Sequence, residues 1–183
     1  MKKSLSSLVK EMGGFNKNQP VAKDAVKKFE DILKTELPQD YKEFLLEYGY
    51  ALPEEYVVFS PMKKSSEYIH DESTGVPNYS FEGSGLSHFY GTDLTHLIER
   101  YKDRMPENFL PVADDGLGNQ ICMSLNEKTF GYVYWWDHEN EWDEEDYFDE
   151  VGEKMPSEAK YQNLYLIANS FYDFFEKLKK EVI

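Results

Sequence analysis

A single cysteine, Cys122, leaves this 183-residue chain without an internal disulfide and without a multi-cysteine zinc site. No apolar run approaches the roughly 18 residues that a membrane-spanning helix requires. The start, MKKSLSSLVKEMGG, is basic but has no apolar core of the length a signal peptide needs. The expected compartment is therefore the cytoplasm. Histidine is scarce and dispersed over His70, His88, His96 and His138, with no H-E-x-x-H and no close pair. A metal site with ordinary ligand spacing is absent, and no cofactor motif occurs. Cations are also few. Twenty Lys and Arg stand against 35 Asp and Glu, for a net charge of −15. Phosphate binding wants clustered cations, so nucleic acid is excluded as a direct ligand, and an anionic membrane surface falls with it.

What is present is bulk. Apolar residues make up 40% of the chain and aromatics 16%, too much large side chain for a disordered protein. The length suits one domain, 1–183. The sequence around Phe109–His138 organises the rest. Phe109–Ala113 is an apolar run, and Asp114, Asp115, Gly116, Leu117 and Gly118 make a turn. Gln120–Leu125 alternates, with Ile121, Met123 and Leu125 on one face and Gln120, Cys122 and Ser124 on the other. Asn126–Thr129 fits a hairpin loop, and Phe130–Trp136 is aromatic and β-branched. The centre of an antiparallel sheet is expected here, with Trp135 and Trp136 on opposite faces.

Before this centre, Ser4–Glu11 reads as a short helix ended by Gly13 and Gly14, and Asn16–Pro20 as a linker. Lys23–Lys34 is a helix with Val26, Phe29 and Leu33 inward. Pro38 opens another, in which Tyr41, Phe44, Leu45 and Tyr48 recur at helical spacing until Gly49. Glu55–Phe59 reads as a strand, Lys63–Ser80 as a loop, and Leu86–Tyr90 as a strand. Leu94, Leu97, Ile98 and Tyr101 mark a helix that Thr92 or Asp93 caps. After the centre, Tyr161–Glu181 reads as one long helix, with Leu164, Ile167, Ala168, Phe171, Phe175 and Leu178 on a single face. Lysines 177, 179 and 180 sit at its C-terminal end, where cations complement the helix dipole. Helices, a mostly antiparallel sheet interrupted by one helix, and a closing helix add up to an α+β fold.

Much of the negative charge sits in one place. Residues 137–158 hold eleven carboxylates and one lysine. A solvated face is the plain explanation for such a run. Trp142, Tyr147, Phe148 and Val151 are too many apolar groups for a simple acidic tail, so the segment is expected to fold partly onto the body. A one-sign patch also steers a basic protein partner. The candidate contact residues are Asp137, Glu139, Glu141, Trp142, Asp143, Glu144, Glu145, Asp146 and Tyr147. Trp142, set among carboxylates, is the candidate aromatic anchor. Catalysis is poorly provided for. Cys122 lies mid-strand without a base in sequence, and Asp114 and Asp115 point apart in an extended chain. The Asp-Asp-Gly-x-Gly-Asn string lacks the spacing and terminal Glu of a calcium loop and the Gly-Lys of a phosphate loop. Asp114, Asp115 and His138 are the residues a hydrolase would have to use.

Four pieces in order resemble the SUKH superfamily, the Smi/Knr-like domains. They are LPQDYKEFLLEYG (Leu37–Gly49), LSHFYGTD (Leu86–Asp93), FLPVADDGLGNQICMSL (Phe109–Leu125), and GYVYWWDHE (Gly131–Glu139) with the later IANSFYDFF (Ile167–Phe175). The resemblance covers 22–178, leaving 1–20 as an N-terminal extension. Tyr48-Gly49 departs from the family's usual Asn-Gly, and the acidic segment is long. The resemblance implies a binding module, not an enzyme. Bacterial members look like immunity proteins, antitoxins that bind and neutralise a cognate toxin, often a nuclease. A basic toxin encoded by a neighbouring gene is then the expected partner. Fungal relatives imply the alternative, a regulatory scaffold in cell-wall or stress signalling.

Overall fold

A computed structural model describes residues 3–64 and 83–181. Helix α1 (Leu5–Glu11) starts at Ser4, whose hydroxyl accepts the Ser7 N–H, and buries Leu8 and Val9. Strand β1 (Phe15–Gln19) follows, then α2 (Lys23–Leu33) and α3 (Gln39–Glu47). Next come β2 (Tyr50–Pro53), β3 (Val57–Phe59), β4 (Lys63–Lys64), β5 (Ser84–Leu86) and β6 (His88–Phe89). Helix α4 (Leu94–Tyr101) leads into β7 (Phe109–Asp114), β8 (Gln120–Ser124) and β9 (Val133–Trp136). The acidic helix α5 (Glu144–Val151), strand β10 (Leu164–Ala168), helix α6 (Phe171–Lys177) and β11 (Lys179–Lys180) complete the chain.

The main sheet has the order β1-β2-β6-β7-β8-β9-β10-β4, and a small sheet has the order β11-β3-β5. Every strand pair is antiparallel. The fold is α+β, as the pattern of elements predicts. Register fixes the two faces. Phe89 pairs with Ala113, Ala113 with Ile121, and Ile121 with Trp135, so these four share one face. His88, Asp114, Gln120 and Trp136 form the neighbouring row and point the opposite way. Helices α3 and α6 cover the first face. The Phe44 ring centroid lies 4.8 Å from Phe89, 5.1 Å from Phe171 and 5.5 Å from Phe175. Phe171, Phe174 and Phe175 are all buried, worth about 1.5–3 kcal/mol apiece by apolar burial. Helix α4 covers the second face, with Tyr101 edge-on to Trp136 at 5.8 Å. Trp135 and Trp136 are therefore on opposite faces as expected, and both are buried.

The closing helix is the largest correction. Residues 161–181 are not one helix: Leu164–Ala168 is a strand buried at every position, inserted between β9 and β4. A short continuous apolar run fits a fully buried strand as well as a helix face, and the sheet competes for it successfully. The break is local. Ser170 accepts the Asp173 N–H through its hydroxyl and starts α6, while Lys179 and Lys180 belong to β11, not to a helix end. The expected linker at Asn16–Pro20 is instead the edge strand β1, whose side chains after Phe15 are all exposed. An edge strand with both faces wet shows no alternation to detect. The expected strand Leu86–Tyr90 divides at Ser87 between the two sheets. The expected strand 130–136 begins only at Val133, leaving Phe130 exposed. Asp93 occupies the start of α4, but its carboxylate accepts the Gly91 N–H rather than a helix amide. Lys63–Lys64 pairs with β10, and the remainder of the loop expected at 63–80 lies outside the described residues.

Candidate partner-binding surface

The β7–β8 turn is the most heavily bonded polar feature at this end of the sheet. Asp115 is buried beneath it and accepts from four donors. These are the Leu117 N–H at 2.9 Å, Ser84 Oγ at 2.9 Å, Asn119 Nδ2 at 2.7 Å and Trp135 Nε1 at 3.1 Å. Three of these donors crowd Oδ2 and one reaches Oδ1, so the carboxylate is committed to holding the turn. Asp114 points to the other face, as alternation requires. His88 Nδ1 stands 3.1 Å from Asp114 Oδ1, and Tyr90 Oη reaches Gln120 Oε1 at 2.7 Å. Burial works to raise the Asp114 carboxyl. The facing His88 ring, Ser87 and the Gly116 N–H outweigh it and hold the group below its ordinary range. Burial, aided by the Asp114 charge, pushes the Tyr90 phenol up.

The acidic segment is attached to this turn. Asn119 Oδ1 accepts both from the His138 N–H, at 3.1 Å, and from His138 Nδ1, at 2.7 Å. Asp137 is turned inward. Its carboxylate accepts the Glu139 N–H and Asn140 Nδ2, and its carbonyl accepts Asn163 Nδ2. Four residues further on, Glu141 receives a forked pair of hydrogen bonds from Arg104, with Nε at 2.9 Å from Oε1. The guanidinium also lies over the Trp136 ring, 5.1 Å from its centroid. Fork geometry and stacking together make this a strong surface clasp. Asp143 Oδ1 then accepts the N–H groups of Glu145 and Asp146, both at 2.8 Å, and starts α5. Three acidic residues in the first turn suit the positive end of the helix.

The nine candidate contact residues therefore separate by exposure. Glu139, Asp143, Glu144, Glu145 and Asp146 are exposed, whereas Glu141 and Trp142 are half-buried. Asp137 and Tyr147 are buried. Trp142 meets Tyr147 edge-on at 5.6 Å, so each aromatic supports the other against the body. The open apolar group on the acidic helix is Phe148, with 58% of its surface accessible. Helical spacing carries that signal. Tyr147 and Val151 are four apart and share the inward side, and Phe148 is turned off it. Leu117, at the crown of the β7–β8 turn, is more open still, at 74%. Elsewhere, a groove of about 960 Å³ between α1, α3 and the start of α6 is lined by Leu5, Asp40, Glu43, Leu46 and Tyr172, among others. Cys122 is fully buried, and burial pushes its thiol up. Among the described residues, no group of three or more His, Cys, Asp or Glu side chains is arranged to hold a metal. No helix among them is long and apolar enough to cross a membrane.

Residues 20–177 match the SMI1 / KNR4 family (SUKH-1). The chain belongs to that family. The match runs from just after β1 to the end of α6 and leaves α1, β1 and β11 outside it. A curated relative is the SPbeta prophage-derived uncharacterized protein YokK of Bacillus subtilis (strain 168). It is 30% identical over 174 residues, covering 87% of this chain and 76% of the relative. The resemblance read from the four sequence pieces is thus that of a true family member.

Proposed function

We propose that this SUKH protein is an immunity protein: it binds a cationic toxin domain one-to-one and neutralises it through the acidic surface, without catalysis of its own. The observation that carries the reading is a folded, firmly held acidic element. Helix α5 presents Glu144, Glu145, Asp146, Asp149 and Glu150 to solvent, and its approach is clasped to the body by Arg104–Glu141. A solvated tail needs no such attachment. Membership of the SUKH family and likeness to a prophage-derived protein support the same reading. Carboxylates on a rigid helix would compete with nucleic acid for a nuclease's basic cleft, and opposite charge would speed the encounter. Two of the three residues a hydrolase would use are bonded into the turn. Asp115 carries four donors, and His138 is bonded to Asn119.

The test is co-expression with the product of the adjacent gene, followed by purification and titration of toxicity. A stable one-to-one complex and rescue of growth are expected. A neighbour that is neither toxic nor bound, with several substoichiometric partners recovered instead, would move the assignment to a regulatory scaffold.

A further inference from the structure

Leu117 is the most exposed large apolar residue among the described residues. Loop tips ordinarily place polar groups in such positions, and they ordinarily move. This tip is fixed. One hydrogen bond, from the Leu117 N–H to Asp115, is enough to make the turn. Asp115 takes three more, from Ser84 in the small sheet, from Trp135 in the main sheet and from Asn119. These tie the crown to both sheets. The flanking glycines adopt φ of +79° and +103°, which L side chains rarely do. A Cβ at Gly118 would stand 2.9 Å from the His138 ring, and one at Gly116 would stand 3.3 Å from Ser87. The crown is therefore hemmed in on both sides, and Leu117 supplies the one side chain of residues 116–118. The tip stands beside the start of the acidic segment: Gly118 adjoins the His138 ring, and His138, bonded to Asn119, is followed directly by the exposed Glu139.

We infer that Leu117 is the apolar anchor of the partner interface, a knob on a fixed turn that enters an apolar socket with a cationic rim on the toxin domain. The inference rests on the immunity reading above and adds the residue that sets its off-rate. A turn backbone that is already fixed loses little freedom on binding, so only the leucine rotamers remain to be ordered and much of the burial appears as affinity. The acidic helix governs arrival, and the knob governs release.

The test uses the full chain and the purified product of the adjacent gene, with binding followed by surface plasmon resonance. L117A is expected to weaken the complex roughly 10- to 100-fold, mostly through faster dissociation. L117D is expected to weaken it further, and L117M to stay within about threefold of wild type, since methionine conserves apolar volume. Unfolding midpoints in urea serve as the control and are expected to be equal, because the side chain is open to solvent. Wild-type affinity in both L117A and L117D overturns the inference and leaves the immunity reading standing. Failure of the wild-type protein itself to bind removes the immunity reading and the inference with it.

Discussion

Replacing Asp115 should damage the fold far more than its place in a surface turn suggests. Asp115 is 8% exposed, and its carboxylate accepts from Leu117 N–H, Ser84 Oγ, Asn119 Nδ2 and Trp135 Nε1. Alanine removes all four bonds. Two of the abandoned donors, the Asn119 amide and the Trp135 indole, belong to buried residues, and each unsatisfied buried donor costs about 1–3 kcal/mol. Ser84 and the Leu117 amide lie closer to water and add less. The expected loss for Asp115→Ala is about 3–5 kcal/mol, near the upper end for single substitutions. Asparagine keeps the shape. Its oxygen can serve the three donors at Oδ2, but its NH2 then faces the Leu117 N–H, so about 1–2 kcal/mol is expected. With a urea slope of about 2 kcal/mol/M, alanine should lower the midpoint by about 2 M and asparagine by about 0.5–1 M. Near-ultraviolet circular dichroism should report the loss of the Asp115 bond to the Trp135 indole. An alanine shift below about 0.3 M would refute the claim that this carboxylate ties the two sheets together.

Other outcomes follow from the same geometry. Arg104→Ala removes the fork on Glu141 and should expose residues 141–156 to protease and faster amide exchange, at about 1–3 kcal/mol of local stability, with the remaining core protected. Asp114 has a depressed carboxyl, so its contribution is complete above the ordinary value of 3.8 and drains away as pH falls through its lower folded value. Acid titration of Asp114→Asn should accordingly show a smaller loss of stability than wild type across that interval, and identical acid limbs would contradict it. Gly118→Ala forces a Cβ to 2.9 Å from the His138 ring in a backbone region that alanine avoids. It should loosen the His138–Asn119 contact at about 1–3 kcal/mol, visible as a shift of the His138 ring resonances. Native Cys122 should resist thiol reagents until the protein unfolds, because it is fully buried with its thiol pushed up.

How much was legible in the chain depended on how local the signal was. The β7–β8 hairpin, the helices at Lys23, Gln39 and Leu94, and the α+β class are all carried by spacing within a dozen residues. The opposite placement of Trp135 and Trp136 followed from pleat alone. Strand β10 was not readable, because LYLIA is apolar on both sides and its partner strands decide its state. Strand β1 hid for the opposite reason, since an exposed edge leaves FNKNQ polar throughout. In the acidic segment, composition located the element and predicted that it folds onto the body. It did not tell inward from outward residues. Asp137 caps a turn and Tyr147 packs beneath Trp142, while Phe148 and Leu117 are open. The Arg104–Glu141 clasp joins residues 37 apart and leaves no trace in sequence.

The most direct measurement is the association rate of this protein with the adjacent gene's product as a function of ionic strength. It should be run for wild type and for a variant with Glu144, Glu145, Asp146 and Glu150 made neutral, keeping Asp143 as the helix cap. A wild-type rate that falls steeply between low and physiological salt is expected, with a variant that is slower by about tenfold or more and less dependent on salt. A wild-type rate insensitive to salt, or a variant that associates and neutralises equally well, would contradict the acidic helix as the surface that meets the toxin.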